Sequence, residues 1–233
     1  MILGLDTTTE RLHLALAEPG PGGRTWTRWV AGAPGRSHSG ALLPALEELL
    51  AEAGLTPAGL TGVVACVGPG GFTALRIGVA TAEGLALTGL PTWGFSAFEL
   101  RARALRQAGV TGPVWIILDG QRQEVFLQLW EDGPLTPALK RPLAALGERV
   151  SGAWWAPGSF RERVAPHLSR PAEVMEPEAE ATLAGLAALC RELPLGPPEA
   201  PLVPFYLRET DAEVNFPEAS AHLSEALRRG QAR

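Results

Sequence analysis

The sequence predicts an α/β fold built from two similar halves, and three observations predict it. Apolar strand segments alternate with helical segments along the 233 residues. The run Val63-Val64-Ala65-Cys66-Val67 ends in the turn Gly68-Pro69-Gly70-Gly71 and leads straight into a helical stretch, the strand–turn–helix of an α/β unit. Ile2-Leu3-Gly4-Leu5-Asp6-Thr7 is echoed by Val114-Trp115-Ile116-Ile117-Leu118-Asp119-Gly120. In each case an apolar strand closes on an Asp turn and a second, alternating strand follows, which reads as a duplication.

Each element has its local reason. Ile2–Leu5 is a short apolar strand, and Asp6-Thr7-Thr8-Thr9 turns the chain because its side-chain oxygens can accept nearby N–H groups. Leu12, Leu14 and Leu16 alternate with His13 and Ala15, predicting a strand with one buried face. After Gly20-Pro21-Gly22-Gly23, residues 25–30 alternate as a third strand, completing an antiparallel meander. A helix is predicted from Ser37-His38-Ser39 to Gly54, with a late start or kink at Pro44 and with Glu47, Glu48 and Glu52 facing water. The helix after Gly71 runs from about Thr73 to Leu87 and is apolar almost all round, so it needs cover on more than one side. An extended piece at 91–95, a helix over 96–107, a strand at 114–118, and an alternating strand at 124–130 follow. After Asp132 the pattern weakens, leaving a helix over 179–192, an extended stretch to 208 and a last helix from Pro217 to Arg229.

Composition excludes several classes. Hydrophobic content of 46% with 19% charged residues is that of a globular protein, and a net charge of −5 argues against a broad basic nucleic-acid face. Cys66 and Cys190 are far apart and read as two structural thiols in a reducing cytoplasm. No apolar run reaches the length of a membrane span, and the start at Met1 carries no leader pattern, so a cytoplasmic protein is expected.

The candidate chemistry lies in the turns. Asp6 and Asp119, facing a cleft between the halves, could hold a hydrated cation, and the Gly68–Gly71 loop at a helix start could cradle an anion. Against this, an Asp at a strand end equally suits capping its own turn, no Lys follows the glycines, and no two of the four histidines (His13, His38, His167, His222) are paired at metal-binding spacing. No nucleophile elbow and no Cys-x-x-Cys is present. His38 at a helix start reads as a hydrogen-bonding residue near the cap.

Val67-Gly68-Pro69-Gly70-Gly71-Phe72-Thr73-Ala74-Leu75-Arg76-Ile77-Gly78 resembles the signature of the bacterial TsaB (YeaZ) family, with Gly71 and Ala74 as small-for-small departures. Leu3–Thr8, His38-Ser39 before Leu42-Leu43-Pro44, the 119–126 segment and Pro204-Phe205-Tyr206-Leu207-Arg208 support the resemblance, which is loose over 131–202. It implies an actin/Hsp70-like ATPase (ASKHA) fold of two RNase-H-like βββαβα halves: 1–108 with the partner-binding helices, 109–210, and a tail helix at 211–233. It further implies a non-catalytic scaffold or activator in threonylcarbamoylation of the tRNA adenosine next to the anticodon. The catalytic paralogue TsaD would be the direct partner, the ATPase TsaE and tRNA would be reached through that complex, and the chain alone would homodimerise. No metal and no tightly bound ATP are expected, so Asp6, Thr7, Thr8, Gly68, Pro69, Gly70, Gly71 and Asp119 become remnants of nucleotide loops. The implied interface comprises His38, Leu42, Leu46, Leu49, Phe72, Arg76, Ile77, Ala80, Glu83 and Leu85, with Gly78, Ala82 and Gly84 letting backbones approach. The competing reading is an independent small-molecule kinase or ATPase using Asp6 and the Gly68–Gly71 loop.

Overall fold

The structure, a computed structural model, describes residues 1–31, 38–158, 160–168, 179–192, 197–199 and 201–207. The first half opens with β1 (Ile2–Asp6), β2 (Arg11–Ala17) and β3 (Thr25–Ala31), followed by α1 (His38–Glu52), β4 (Gly62–Gly68), α2 (Phe72–Ala86), β5 (Thr92–Ser96) and α3 (Ala97–Gln107). Its sheet has the order β3-β2-β1-β4-β5: the meander is antiparallel, while β4 joins β1 and β5 joins β4 in parallel.

The second half repeats the plan. β6 (Val114–Asp119), β7 (Glu124–Trp130), β8 (Leu139–Pro142) and β9 (Trp154–Trp155) form a sheet ordered β8-β7-β6-β9. β6, β7 and β8 are again an antiparallel meander, and β9 lies parallel to β6 as β4 does to β1. The expected duplication is therefore present at the level of strand order. The short strands β8 and β9 have no alternating signal in the sequence, because four and two residues are too few to show a period. The helices α4 (Phe160–Val164) and α5 (Ala179–Glu192) complete the described elements, and the expected helix at 217–229 lies outside the described residues.

Two local expectations change. α1 starts at His38, well before Pro44, so the proline is carried inside the helix rather than delaying it. Gly54 does close the helix region, at φ 68°, with its N–H donating to the Ala51 carbonyl. β2 is buried on both faces, not one. Leu12, Leu14 and Leu16 pack beneath α1 and α2, whereas Ala15 and Ala17 face α5, which returns from the far end of the chain to cover β1, β2 and β3. The contact is close: a methyl added at Gly4 of β1 would stand 2.7 Å from the Cys190 Sγ and 3.0 Å from Leu186, both on α5. The sequence of β2 records an alternation of size, leucine on one side and alanine on the other, rather than of polarity.

Cys66 and Cys190 are both buried and free. Burial raises the Cys66 thiol well above its ordinary range, with the nearby Asp6 charge adding to the effect, and pushes Cys190 up to about 12. Thiol-directed reagents at neutral pH are expected to label neither cysteine in the native protein and both in denaturant. Stoichiometric labelling at the native rate of a free thiol is the contrary result.

A closed turn at the end of the first strand

Asp6, the last residue of β1, is completely buried, and both of its carboxylate oxygens are committed. Oδ1 accepts from the Thr8 N–H at 3.0 Å and the Thr8 hydroxyl at 2.6 Å. Oδ2 accepts from Arg101 Nη2 of α3 at 2.7 Å and lies 3.5 Å from His13 Nδ1 of β2. Arg101 is 2% exposed, so a buried carboxylate and a buried guanidinium neutralise each other inside the fold.

The titration behaviour follows. Burial opposes charge on Asp6, but Arg101, His13 and Thr8 outweigh it and hold the carboxyl well below the ordinary carboxylate range. Burial pushes the His13 imidazole below its ordinary 6.5, against the pull of Asp6. Both shifts have one sign for stability. The unfolded chain takes up a proton at His13 below about pH 6.5, and at Asp6 below about pH 4, that the folded chain resists. The melting temperature should be flat between about pH 7 and 8, fall as the pH drops through 6.5, and fall further in stronger acid. His13→Asn should flatten the upper part alone, and an unchanged profile in that variant would refute the assignment.

The Gly68–Gly71 loop packs directly against this turn. Gly68, at φ 111°, precedes a cis Gly68–Pro69 bond, and an added methyl at Gly70 would stand 2.8 Å from Thr8 Cβ. The two loops touch. Asp119 differs from Asp6: its Oδ1 accepts from the Gln121 N–H at 2.8 Å, its Oδ2 from Arg163 Nη1 at 3.1 Å, and it is partly exposed. The turn beyond it carries Gln121, Arg122 and Gln123 at φ 65°, 47° and 65°. A cleft of about 760 Å³ lies between the halves, lined by Glu99, Arg103, Arg106, Gln128, Trp130 and Glu192 among others, and neither Asp borders it. Among the described residues, no group of three or more His, Cys, Asp or Glu side chains is placed to hold a metal ion, and no helix is long and apolar enough to cross a membrane.

The two N-terminal helices sort differently from expectation. Leu42, Leu46 and Leu49 are 1%, 5% and 0% exposed and belong to the core, because the three-and-four spacing that marks an apolar stripe marks the side facing the sheet. Ile77 and Leu85 are half-buried against the same core. Gly78 and Ala82 face inward as well. The outward face of α1 carries Leu43, Pro44 and Glu47, with Leu43 58% exposed. That of α2 carries Phe72, Arg76, Ala80 and Gly84 at i, i+4 spacing, with Leu87 just past its end, so that the small Ala80 and Gly84 lie between larger residues. Phe72, Arg76, Ala80 and Gly84 were legible in the sequence; Leu43 and Leu87 were legible in principle, from the phase of the helix.

Tyr206 belongs to the 204–208 segment of the resemblance, but nothing in the sequence signalled its contacts. Its ring lies 5.4 Å from Phe72, and its hydroxyl accepts from Arg76 Nε at 3.2 Å while the Arg76 guanidinium stacks over Phe72 at 3.7 Å. Residues 201–207 strap this side of the domain, with Phe205 N–H donating to the Val67 carbonyl and Leu202 N–H to Glu83 Oε1. Glu83 is thereby engaged within the chain. His38 sits at the start of α1 with Nε2 2.8 Å from the Thr9 carbonyl oxygen, a tertiary hydrogen bond to the turn after β1 in place of the expected bond near the helix cap.

Two meander sheets, each extended by a parallel strand and backed by helices, define a duplicated α/β protein of the actin/Hsp70-like ATPase class. Residues 33–136 match the family described as TsaD, tRNA N6-adenosine threonylcarbamoyltransferase. The tRNA threonylcarbamoyladenosine biosynthesis protein TsaB of Escherichia coli K12 is 30% identical over 197 residues, covering 77% of this chain and 82% of that protein. A protein of Mycobacterium tuberculosis H37Rv named only as uncharacterized is 31% identical over 180 residues, covering 76% and 78%. Among solved structures, YeaZ from Pseudomonas aeruginosa superposes with a TM-score of 0.70 at 27% identity, over 88% of this chain and 99% of that one. The chain belongs to the TsaB (YeaZ) family.

Proposed function

We propose that this protein acts in the biosynthesis of threonylcarbamoyladenosine in tRNA, as a non-catalytic subunit that binds a TsaD-type transferase through the outward faces of α1 and α2. Family membership supports the pathway. The observation that carries the non-catalytic role is the closed Asp6 turn: both carboxylate oxygens are spent on the chain's own groups, and the neighbouring glycine loop is packed against Thr8. The competing kinase or ATPase reading needs that carboxylate and that loop free. Neither a resident nucleotide nor a metal is part of the proposal, and contact with tRNA and with TsaE runs through the transferase, in keeping with a net charge of −5.

The uncovered stripe of α2 gives the partner contact its physical basis. Ala80 and Gly84 allow another helix to approach closely, and Phe72 and Leu87 offer apolar area at either end. The same stripe would pair two copies of the chain isologously when the transferase is missing. Light scattering after size-exclusion chromatography, on the chain alone and mixed with TsaD, tests this. The wild type should form a mixed complex, whereas Leu43→Glu and Ala80→Glu, both at exposed positions, should keep the fold and weaken the complex at least tenfold. Isothermal calorimetry with Mg–ATP on the isolated chain should show no tight binding. A chain that binds nucleotide tightly and ignores TsaD would reverse the assignment in favour of the independent ATPase.

A further inference from the structure

The run Thr7-Thr8-Thr9 holds three different parts of the first half. The Thr7 hydroxyl donates to the Ala74 carbonyl, in the first turn of α2, at 2.7 Å. It also fills the notch left by Gly78, one helical turn on, where an added methyl would stand only 2.5 Å from the Thr7 Oγ1. Thr8 holds Asp6 through its N–H and hydroxyl, and its side chain abuts Gly70. The Thr9 carbonyl meets His38 Nε2, at the first residue of α1. One turn thus grips α2 at its start, the glycine loop beside it, and the start of α1. Behind it, Arg101 and His13 clamp the turn's own Asp to α3 and β2.

We propose that this threonine turn is a positioning element that sets α1 and α2 relative to each other, and so fixes the geometry of the partner-binding face; this rests on the partner reading above. The two helices pack mainly on the sheet and only lightly on each other, so their relative placement is not set by their own contact. Thr7, only 1% exposed, acts through the helix it holds, as a positioning residue and not as a partner contact. A hydroxyl that bonds a helical carbonyl from outside the helix fixes both the height and the rotation of that helix, which an apolar side chain of equal volume cannot do. A short threonine series at a strand end therefore has a use here that needs no bound phosphate.

The test replaces Thr7 with valine, which keeps the volume and removes the hydroxyl, and with serine, which keeps the hydroxyl. Amide hydrogen exchange over residues 73–78 reports the tether whether or not a partner binds. Thr7→Val should speed that exchange about tenfold and weaken TsaD binding about five- to tenfold, while Thr7→Ser restores both. Leu146→Val, in the core of the second half, serves as a control that lowers stability without touching the turn. It should leave TsaD affinity unchanged. Unchanged exchange in Thr7→Val overturns the positioning role irrespective of the partner. Faster exchange with wild-type affinity shows that the tether does not govern the face, and likewise overturns the proposal. Failure of the wild type itself to bind TsaD removes the partner reading instead, a distinct result.

Discussion

An Arg101→Met variant should unfold with about 3–5 kcal/mol less stability than the wild type, because it leaves the Asp6 carboxylate charged and uncompensated in the core. Methionine replaces much of the buried volume, so packing is not the main loss. Relief should come from the other side of the pair. Adding Asp6→Asn removes the stranded charge while keeping an oxygen for the Thr8 donors, and the double variant should recover part of the loss. Urea denaturation of the wild type, Arg101→Met, Asp6→Asn and the double variant measures the coupling. An Arg101→Met cost below about 1 kcal/mol would mean that the guanidinium is not the counter-ion described here.

The second large effect separates the two faces of α1. Leu46→Glu places a carboxylate against the leucines of β2 and should cost several kcal/mol, a large share of a typical domain's total of about 5–15. Leu43→Glu, three residues earlier but 58% exposed, should cost under about 0.5 kcal/mol. Thermal melts of the two variants suffice to decide. If both unfold alike, the outward face of α1 is itself covered within the chain.

The sequence made the architecture legible wherever a period was long enough to see. The strand–Asp-turn pair at Asp6 and Asp119 announced the repeat, and Gly54 and Gly68 stand in the left-handed conformations that their turns needed. What it could not show was distance. Arg101 sits in a helix whose local pattern gives no reason to bury a cation, and its partner lies 95 residues away. The same limit misassigned Leu42, Leu46 and Leu49: periodicity finds an apolar stripe but does not say whether the sheet or a second protein covers it. Tyr206 illustrates the third case, a residue in an irregular strap whose contacts with Phe72 and Arg76 exist only once the fold has formed.

The return of α5 to the first sheet also bears on how the protein is made. Until residue 192 has left the ribosome, Gly4, Ala15 and Ala17 lack the helix that covers them, and β1 and β2 emerge with much of that side bare. The nascent amino-terminal half therefore waits, incomplete, for a helix encoded near the other end of the message. Truncations that stop after α3 should yield an aggregation-prone product rather than a free-standing lobe.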